Sequence, residues 1–382
     1  MIIRQPIIWV TLLYITGIVL GSYFSSIYFL YAAAILPVAS MLLRRKTRIA
    51  DVLLFAFWIS LGMARMWTEK EIPSKNGLYE VVCQKAQQQQ ETMTARLGNA
   101  GVDKEALSVS SALLLGQKSG LDKDTRKKYA QVGASHLLAL SGMHLGIIYG
   151  VLYMLFIRRI RYSEWKWFWL PPILLAIWGY AFVAGMPISL VRACIMFSIA
   201  TMAAFAQSDT PPLHVLALSA LIILLFSPSS LFEISFQLSF LAVFFIIALY
   251  QPLRECFKRH NFVTDTIILS AVAQIGTAPL SIYYFHTLPL TGVITSVILI
   301  PLTTLIIYLG MLTLLIPLHC FAWLLTIAIR AQEWIVDAVA GIPYTTITNL
   351  YPTWWNVLLV YLLLLCVIAR SHIYWNREDF NR

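Results

Sequence analysis

Charge is what this sequence has least of. Only 12% of its 382 residues are Asp, Glu, Lys or Arg, against 59% hydrophobic residues and a mean hydropathy of +0.75. Soluble domains carry about 25% charged residues, so a water-exposed globular fold is excluded and a polytopic membrane protein is implied. Cysteine is scarce and unpatterned: Cys83, Cys194, Cys256, Cys320 and Cys366 make no CxxC pair and no metal-ligand spacing. That excludes a disulfide framework, and the four cysteines beside hydrophobic runs read as small buried hydrophobes. No cofactor and no metal site is expected, because His136 and His144 lack a third ligand at zinc spacing. No small-residue cleavage site follows the first apolar run, which reads as a retained helix.

What fills the chain is apolar runs of membrane-crossing length, roughly 20 residues each. Spans are expected at 6–24, 27–43, 51–67, 136–157, 169–184, 188–206, 212–226, 231–250, 264–285 and 353–370. Two stretches, 288–316 and 318–343, fit either crossings or re-entrant and interfacial helices. Pro301 splits the first, and the second carries Arg330, Glu333 and Asp337 between Trp323 and Trp334. The fold class is therefore an all-α polytopic membrane protein with roughly 10–12 transmembrane or re-entrant helices and a short polar outer segment. Lys and Arg gather at Arg4, 44–48, 158–166, 254–259 and 370–382, and the short loops of the opposite side hold none. The positive-inside rule then places both termini in the cytoplasm, with residues 68–135 on the outer face of the cytoplasmic membrane. The net charge of +10 follows from the same rule and needs no nucleic acid to explain it.

The outer segment reads as one strand at Leu78–Gln84 and an amphipathic helix over 91–116. That helix would turn Leu107, Leu113, Leu114 and Leu115 toward the membrane or the bundle. A basic collar follows, with Lys118, Lys123, Arg126, Lys127 and Lys128 against Asp122 and Asp124.

Directly after it lies the stretch around which the chain is organised, Gly133-Ala-Ser-His-Leu-Leu-Ala-Leu-Ser-Gly-Met-His-Leu-Gly146. Polar side chains are costly in hydrocarbon, and small residues admit a second backbone, so this stretch belongs inside a bundle. On a helix running from 136, His136 and His144 stand about 80° apart and Ser141 precedes His144 by one turn. One face would carry all three, with Gly142 and Gly146 beside them. Further polar positions fall in other spans: Arg192, Glu233 with Gln237, and Gln274 ahead of the helix-breaking pair Gly276 and Pro279. Together they favour a water-accessible path over isolated structural hydrogen bonds. Local readings stay open beside it. Glu233 suits a helix N-cap, Arg192 a structural pairing, His136 the headgroup level, and the collar a lipid- or solvent-facing position.

These residues resemble the ComEC/Rec2 family of bacterial competence proteins. The resemblance rests on Gly133, Ser135-His-Leu-Leu-Ala139, Ser141-Gly142, His144 and Gly146. It extends, in order, to Leu114-Leu115-Gly116, Pro187 with Val191-Arg-Ala193, Ser227-Pro228 with Phe236-Gln-Leu-Ser-Phe-Leu-Ala242, and Ala273-Gln274 with Ala278-Pro-Leu280. It implies a channel that passes a single DNA strand inward across the cytoplasmic membrane and has no catalytic chemistry of its own. His136, Ser141, Gly142, His144, Gly146, Arg192, Glu233, Gln237 and Gln274 would border the path, with the collar cations contacting phosphates. The implied layout is three N-terminal helices in 1–67, the extracytoplasmic segment 68–135, a channel domain 136–350, and a last helix with tail in 351–382. Implied partners are single-stranded DNA, membrane lipids, a separate nuclease or DNA-binding subunit, and a cytoplasmic motor. The chain departs from the family pattern in several respects, among them Ser296 where an asparagine is usual before Pro301. It has no room for an outer OB-fold, no HxHxDH nuclease motif, and Met186 where a small residue is usual. Two other readings stand beside the channel: a solute or lipid-linked transporter on the same bundle, and an intramembrane hydrolase using Ser141 with His144.

Overall fold

The computed structural model describes residues 6–24, 26–42, 47–71, 77–160, 162–207, 210–257, 261–343 and 345–378. Arg4, residues 44–46, Arg161, Lys258, Arg259 and Arg382 of the basic loops lie outside the described residues. The apolar runs fold as helices. The first seven are α1 (Pro6–Tyr23), α2 (Tyr28–Leu42), α3 (Thr47–Glu71), α4 (Gly77–Asn99), α5 (Lys104–Leu115), α6 (Lys123–Gln131) and α7 (Ser135–Leu138). Helix α8 (Gly142–Leu152) continues through a π-helical turn, Tyr153–Ile157, into α9 (Arg158–Ile160). Then come α10 (Lys166–Val183), α11 (Ile188–Phe205), α12 (Pro212–Phe226), a 3-10 turn at Pro228–Phe232, and α13 (Ile234–Glu255). The last four are α14 (Phe262–Phe285), α15 (Gly292–Leu315), α16 (His319–Ala340) and α17 (Trp354–Glu378). Two short antiparallel strands, β1 (Leu288–Pro289) and β2 (Thr346–Ile347), tie the ends of the α15–α16 hairpin together. Eight of the described helices are long and apolar enough to cross a membrane; α2, α12 and residues 354–370 are shorter but similarly apolar, and α16 is not in either group.

Several local expectations are corrected. Leu78–Gln84 is helical, because the run Lys85-Ala-Gln-Gln-Gln-Gln-Glu91 of good helix formers carries the first turns with it. Residues 91–116 form two helices, separated where Gly101 adopts φ +98° and Asp103 takes the N-cap position of α5. Pro279 and Pro301 sit inside unbroken α14 and α15. The latter stays helical through its proline, with Leu299, Ile306 and Ile307 fully buried on both sides of it. Of the five cysteines, only Cys194 is buried, whereas Cys320 and Cys366 are exposed on helix surfaces and Cys256 is exposed in the turn after α13.

The chain divides into two compact units, residues 1–79 with 199–240, and residues 80–198 with 241–382. In the first unit α1 crosses α3 backbone to backbone. A methyl group added at Gly17 would overlap the Ile59 carbonyl oxygen, and one at Gly62 would overlap that of Tyr14. Without a hydrophobic driving force between helices in lipid, this close approach supplies the packing. One turn further along α3, Arg65 donates from Nε to the Leu225 carbonyl (2.9 Å) and from its terminal nitrogen to that of Phe226 (3.1 Å). Glu69 accepts from the Ser229 N–H and hydroxyl, both at 2.9 Å. The cation thus covers the C-terminal carbonyls of α12 and the carboxylate covers the amino end of the next turn, each at its favoured pole.

The second unit has its main core around α5. Ala106, Val109, Ala112, Leu113, Leu114 and Leu115 are almost wholly buried, packed with α15 and α16 through Leu299, Ile306, Leu325 and Ile329. The leucines expected to face membrane or bundle therefore face the bundle. A smaller core joins α13, α14 and α17, where Tyr361 donates to the Gly276 carbonyl (3.1 Å) and Phe245 lies against the Gly276 backbone.

Replacing Gly62 by leucine should destabilise the detergent-solubilised protein by about 1–3 kcal/mol through overpacking. Gly150→Ala, at a helical glycine with open space beside it, should not lower the unfolding midpoint and should raise it slightly, because alanine is the better helix former. Thermal or denaturant unfolding of the two variants checks this contrast.

Candidate functional site

The organising stretch does not form one helix. It makes the single turn α7, leaves helical geometry, and restarts as α8. Ala139 has φ −94° and ψ 120°, and Ser141 has φ −128° and ψ 172°, both extended. His136 therefore shares no helix face with Ser141 and His144, which corrects the expected arrangement. The reason is local: Ser141 is a strong N-cap, and a serine cap competes with helix continuation.

Several polar groups of the interruption have partners. The Ser141 hydroxyl accepts from the Met143 N–H (3.3 Å), and His144 Nδ1 accepts from the Ser141 N–H (3.4 Å), a reciprocal capping box. The Leu140 carbonyl accepts from the Ser189 hydroxyl of α11 at 2.6 Å. Gly133, at φ +76°, makes the turn before α7, and its missing side chain lets the Gly292 backbone approach. The exposed His136 ring reaches back to the Gly133 carbonyl through Nδ1 (3.1 Å).

An Nδ1 that accepts leaves the ring hydrogen of His144 on Nε2. That nitrogen is buried and has no hydrogen-bond partner among the described residues. The Ser141 oxygen stands 3.3 Å from Nδ1, a distance within reach of nucleophile activation. The far nitrogen has no acceptor to orient it, and the hydroxyl is engaged in capping, so the pair has the geometry of a cap and lacks that of a triad. Gly142 and Gly146 look toward Ala193 and Phe197 of α11, where an added methyl would meet them at 3.5 and 3.6 Å. These are ordinary contacts, so neither glycine is sterically required.

Arg192 follows Ser189 by three residues on α11 and is 2% exposed. Ser189, Ala193 and Phe197 are thus the α11 positions that meet the interruption, with Arg192 on the adjoining face. Gln274 donates to the Pro289 carbonyl (3.0 Å) and lies against Gly292, holding the β1 turn near Gly133. In the other unit, Glu233 occupies the residue before α13, and Gln237 donates to the Leu231 carbonyl (3.1 Å). Four of the collar cations, Lys123, Arg126, Lys127 and Lys128, lie on α6, and Lys118 precedes it. Lys128 pairs with Asp337 at 2.8 Å, and that hydrogen bond raises its pKa. Arg126 donates to the Lys118 carbonyl, while Lys118, Lys123 and Lys127 are exposed. Among the described residues no three His, Cys, Asp or Glu side chains come together as a metal cluster would need.

Two glutamines that the sequence did not single out hold this region in place. Gln90, the last of the glutamine run, donates to the Leu115 carbonyl (2.6 Å) and the Ala184 carbonyl (3.3 Å), joining the ends of α5 and α10. Gln332 is fully buried; it donates to the Tyr129 hydroxyl (3.0 Å) and accepts from Thr303 (3.2 Å). Burial also pushes the Tyr129 hydroxyl pKa up, so it remains neutral. A polar residue flanked at helical spacing by buried Leu325, Ala328, Ile329 and Val336 was the available signal for Gln332. Beside it, Glu333 has its carboxyl pKa raised, chiefly by burial and then by Asp337 and Glu105.

Three outcomes follow from this geometry. Gln332→Leu should cost about 1–3 kcal/mol, because it leaves two buried hydroxyls without their partner, and adding Tyr129→Phe should recover part of the loss. Met186, at φ +54°, should gain on the order of 1 kcal/mol as Met186→Gly, by relief of left-handed strain. Because the folded-state pKa of Glu333 is raised, its contribution to stability is present below the unfolded value and lost as pH rises. Glu333→Gln should therefore stabilise the protein at neutral pH, with the gain vanishing in acid. Unfolding midpoints measured across pH check all three.

Comparison with known proteins places the chain. Residues 113–373 match the family model described as "Competence protein". The chain is 28% identical over 210 residues to ComE operon protein 3 of Bacillus subtilis, covering 54% of this chain and 26% of that protein. It is 24% identical over 226 residues to Recombination protein 2 of Haemophilus influenzae, covering 55% and 27%. An uncharacterized Aquifex aeolicus protein is 24% identical over 240 residues, covering 62% and 52%. The matched part thus spans about a quarter to a half of these relatives' own length. No solved structure matches. Since the family match covers well over half of the chain and includes every element of the interrupted stretch, the protein belongs to the ComEC/Rec2 family of competence proteins and has a competence-related role in a membrane.

Proposed function

We propose that this chain is a membrane channel for single-stranded DNA entering the cytoplasm during natural transformation. The carrying observation is the interruption at 139–141. Backbone that leaves helical geometry at membrane depth is tolerated where it is enclosed by protein or borders a wet cavity. Here it begins a half-helix whose positive end suits phosphate oxygens. Ser141, Gly142, His144 and Gly146, with Arg192 and Gln274, are the path candidates of the second unit; Glu233 and Gln237 are those of the first. His136 stands at the approach. Lys118, Lys123 and Lys127 supply sequence-independent phosphate contacts, and a lining with few charges lets the strand leave again.

In this reading both termini are cytoplasmic in the cytoplasmic membrane, 68–135 is extracytoplasmic, and 136–350 is the channel domain. Residues 96–100 border the C-terminal end of α15 while Gly133 touches Gly292 at its start. Both ends of α15 therefore meet the same outer segment, which favours α15 and α16 as a non-crossing hairpin and leaves ten crossings, α1–α3, α8, α10–α14 and α17. In this reading a nuclease and a cytoplasmic motor act alongside the chain as partners. The chain itself does no chemistry.

Deleting the gene in a transformable host without a paralogue should abolish entry of labelled DNA into the cytosol; undiminished entry overturns the channel. The 3.3 Å contact between Ser141 and His144 is the one observation favouring a hydrolase, and Ser141→Asn separates the two readings. Asparagine caps a helix as well as serine does, so the channel keeps uptake, whereas a nucleophile would be lost. Converting Lys118, Lys123 and Lys127 to glutamine should reduce the salt slope of single-strand binding by about 2, at about 0.7 per phosphate contact.

A further inference from the structure

The turn between α15 and α16 carries a site that the channel reading does not use. A cavity of about 370 Å³ opens there, between the end of α4 and the start of α16. Its polar lining is Arg96, Asn99 and His319, with Thr313, whose hydroxyl is engaged with the Leu309 carbonyl; two of these side chains are able to carry positive charge. No carboxylate lines it, and Arg96 makes no ion pair among the described residues. The His319 ring rests on the Gly101 backbone; a side chain at Gly101 would meet its Nδ1 at 2.7 Å. The opposite wall is apolar, formed by Leu314, Leu315 and Pro317.

From this pairing we infer that the cavity binds the phosphate headgroup of an anionic phospholipid, with its acyl chain lying along the end of α15. Charge complementarity chooses the headgroup, since an unpaired guanidinium and an imidazole face no acid. The apolar wall chooses lipid over nucleic acid or free phosphate. Leu315 is 77% exposed, and Trp323 one turn into α16 is 63% exposed. An exposed aromatic beside exposed aliphatics and a cation is the pattern of an interfacial anchor. Arg is the better phosphate ligand of the basic residues because its planar fork engages two oxygens at once.

The test uses the full chain, purified in a zwitterionic detergent, with lipid binding followed by native mass spectrometry and thermal shift. Wild type should bind phosphatidylglycerol with an affinity about tenfold above that of Arg96→Gln, a difference of about 1.4 kcal/mol, while phosphatidylcholine binding is the same for both. Leu315→Asn, which keeps the cations, should weaken phosphatidylglycerol binding and leave any response to inorganic phosphate unchanged. Equal phosphatidylglycerol affinity in wild type and Arg96→Gln overturns the site. So does Arg96-dependent protection by inorganic phosphate or by a short oligonucleotide that matches the lipid's, because the apolar wall would then contribute nothing. DNA uptake is not the readout, so the site stands or falls independently of the channel.

Discussion

A backbone that stops being helical inside an apolar bundle must find a partner for every amide and carbonyl it exposes. That constraint governs the stretch from Gly133 to Gly146. Its interruption survives because Ser189 takes the Leu140 carbonyl, His144 takes the Ser141 amide, and Ser141 takes the Met143 amide. Each unmet group would cost several kcal/mol in hydrocarbon. Side chains that look catalytic in sequence are thus the ones that make an irregular turn affordable. The rest of the second unit is arranged around keeping that turn in place. Gly133 is pressed on Gly292, Gln274 holds the strand beside it, and Gln90 joins the two helix ends above it.

The basic helix α6 is attached to this frame rather than floating over it. Tyr129 sits in the buried network with Gln332 and Thr303, and Lys128 is paired with Asp337. The exposed ion pair contributes little to stability; the buried hydrogen bonds fix the helix. Consequently four of the five collar cations, Lys118, Lys123, Arg126 and Lys127, remain exposed just before the keystone. In the proposed function these cations would meet a polyanion ahead of the amino end of α8.

Much of this was legible in the sequence. Composition and hydropathy gave the helices, since a 20-residue apolar run has few alternatives, and most helix limits fall within a few residues of the hydropathic ones. The family was legible from the spacing of small and polar residues in the keystone and its companions. What could not be read was how those residues are used. Ser141 and His144 at i, i+3 look the same on a continuous helix face as in a capping box, and only the backbone angles of Ala139 and Ser141 separate the two. Gln90 and Gln332 were hidden for a different reason. Their value lies in carbonyls and hydroxyls far away in sequence, at Ala184, Thr303 and Tyr129, which no local pattern encodes. The prolines of α14 and α15 show the converse, a local breaking signal overruled by packing on both flanks.

The account turns on the amino end of α8 bordering the route of the strand. A photo-crosslinking amino acid placed at Met143, and in a parallel protein at Leu363 on the exposed surface of α17, tests this most directly during uptake of labelled DNA. The account predicts covalent capture of single-stranded DNA at position 143 and none at position 363. Capture at neither position while uptake proceeds, or equal capture at both, would contradict it.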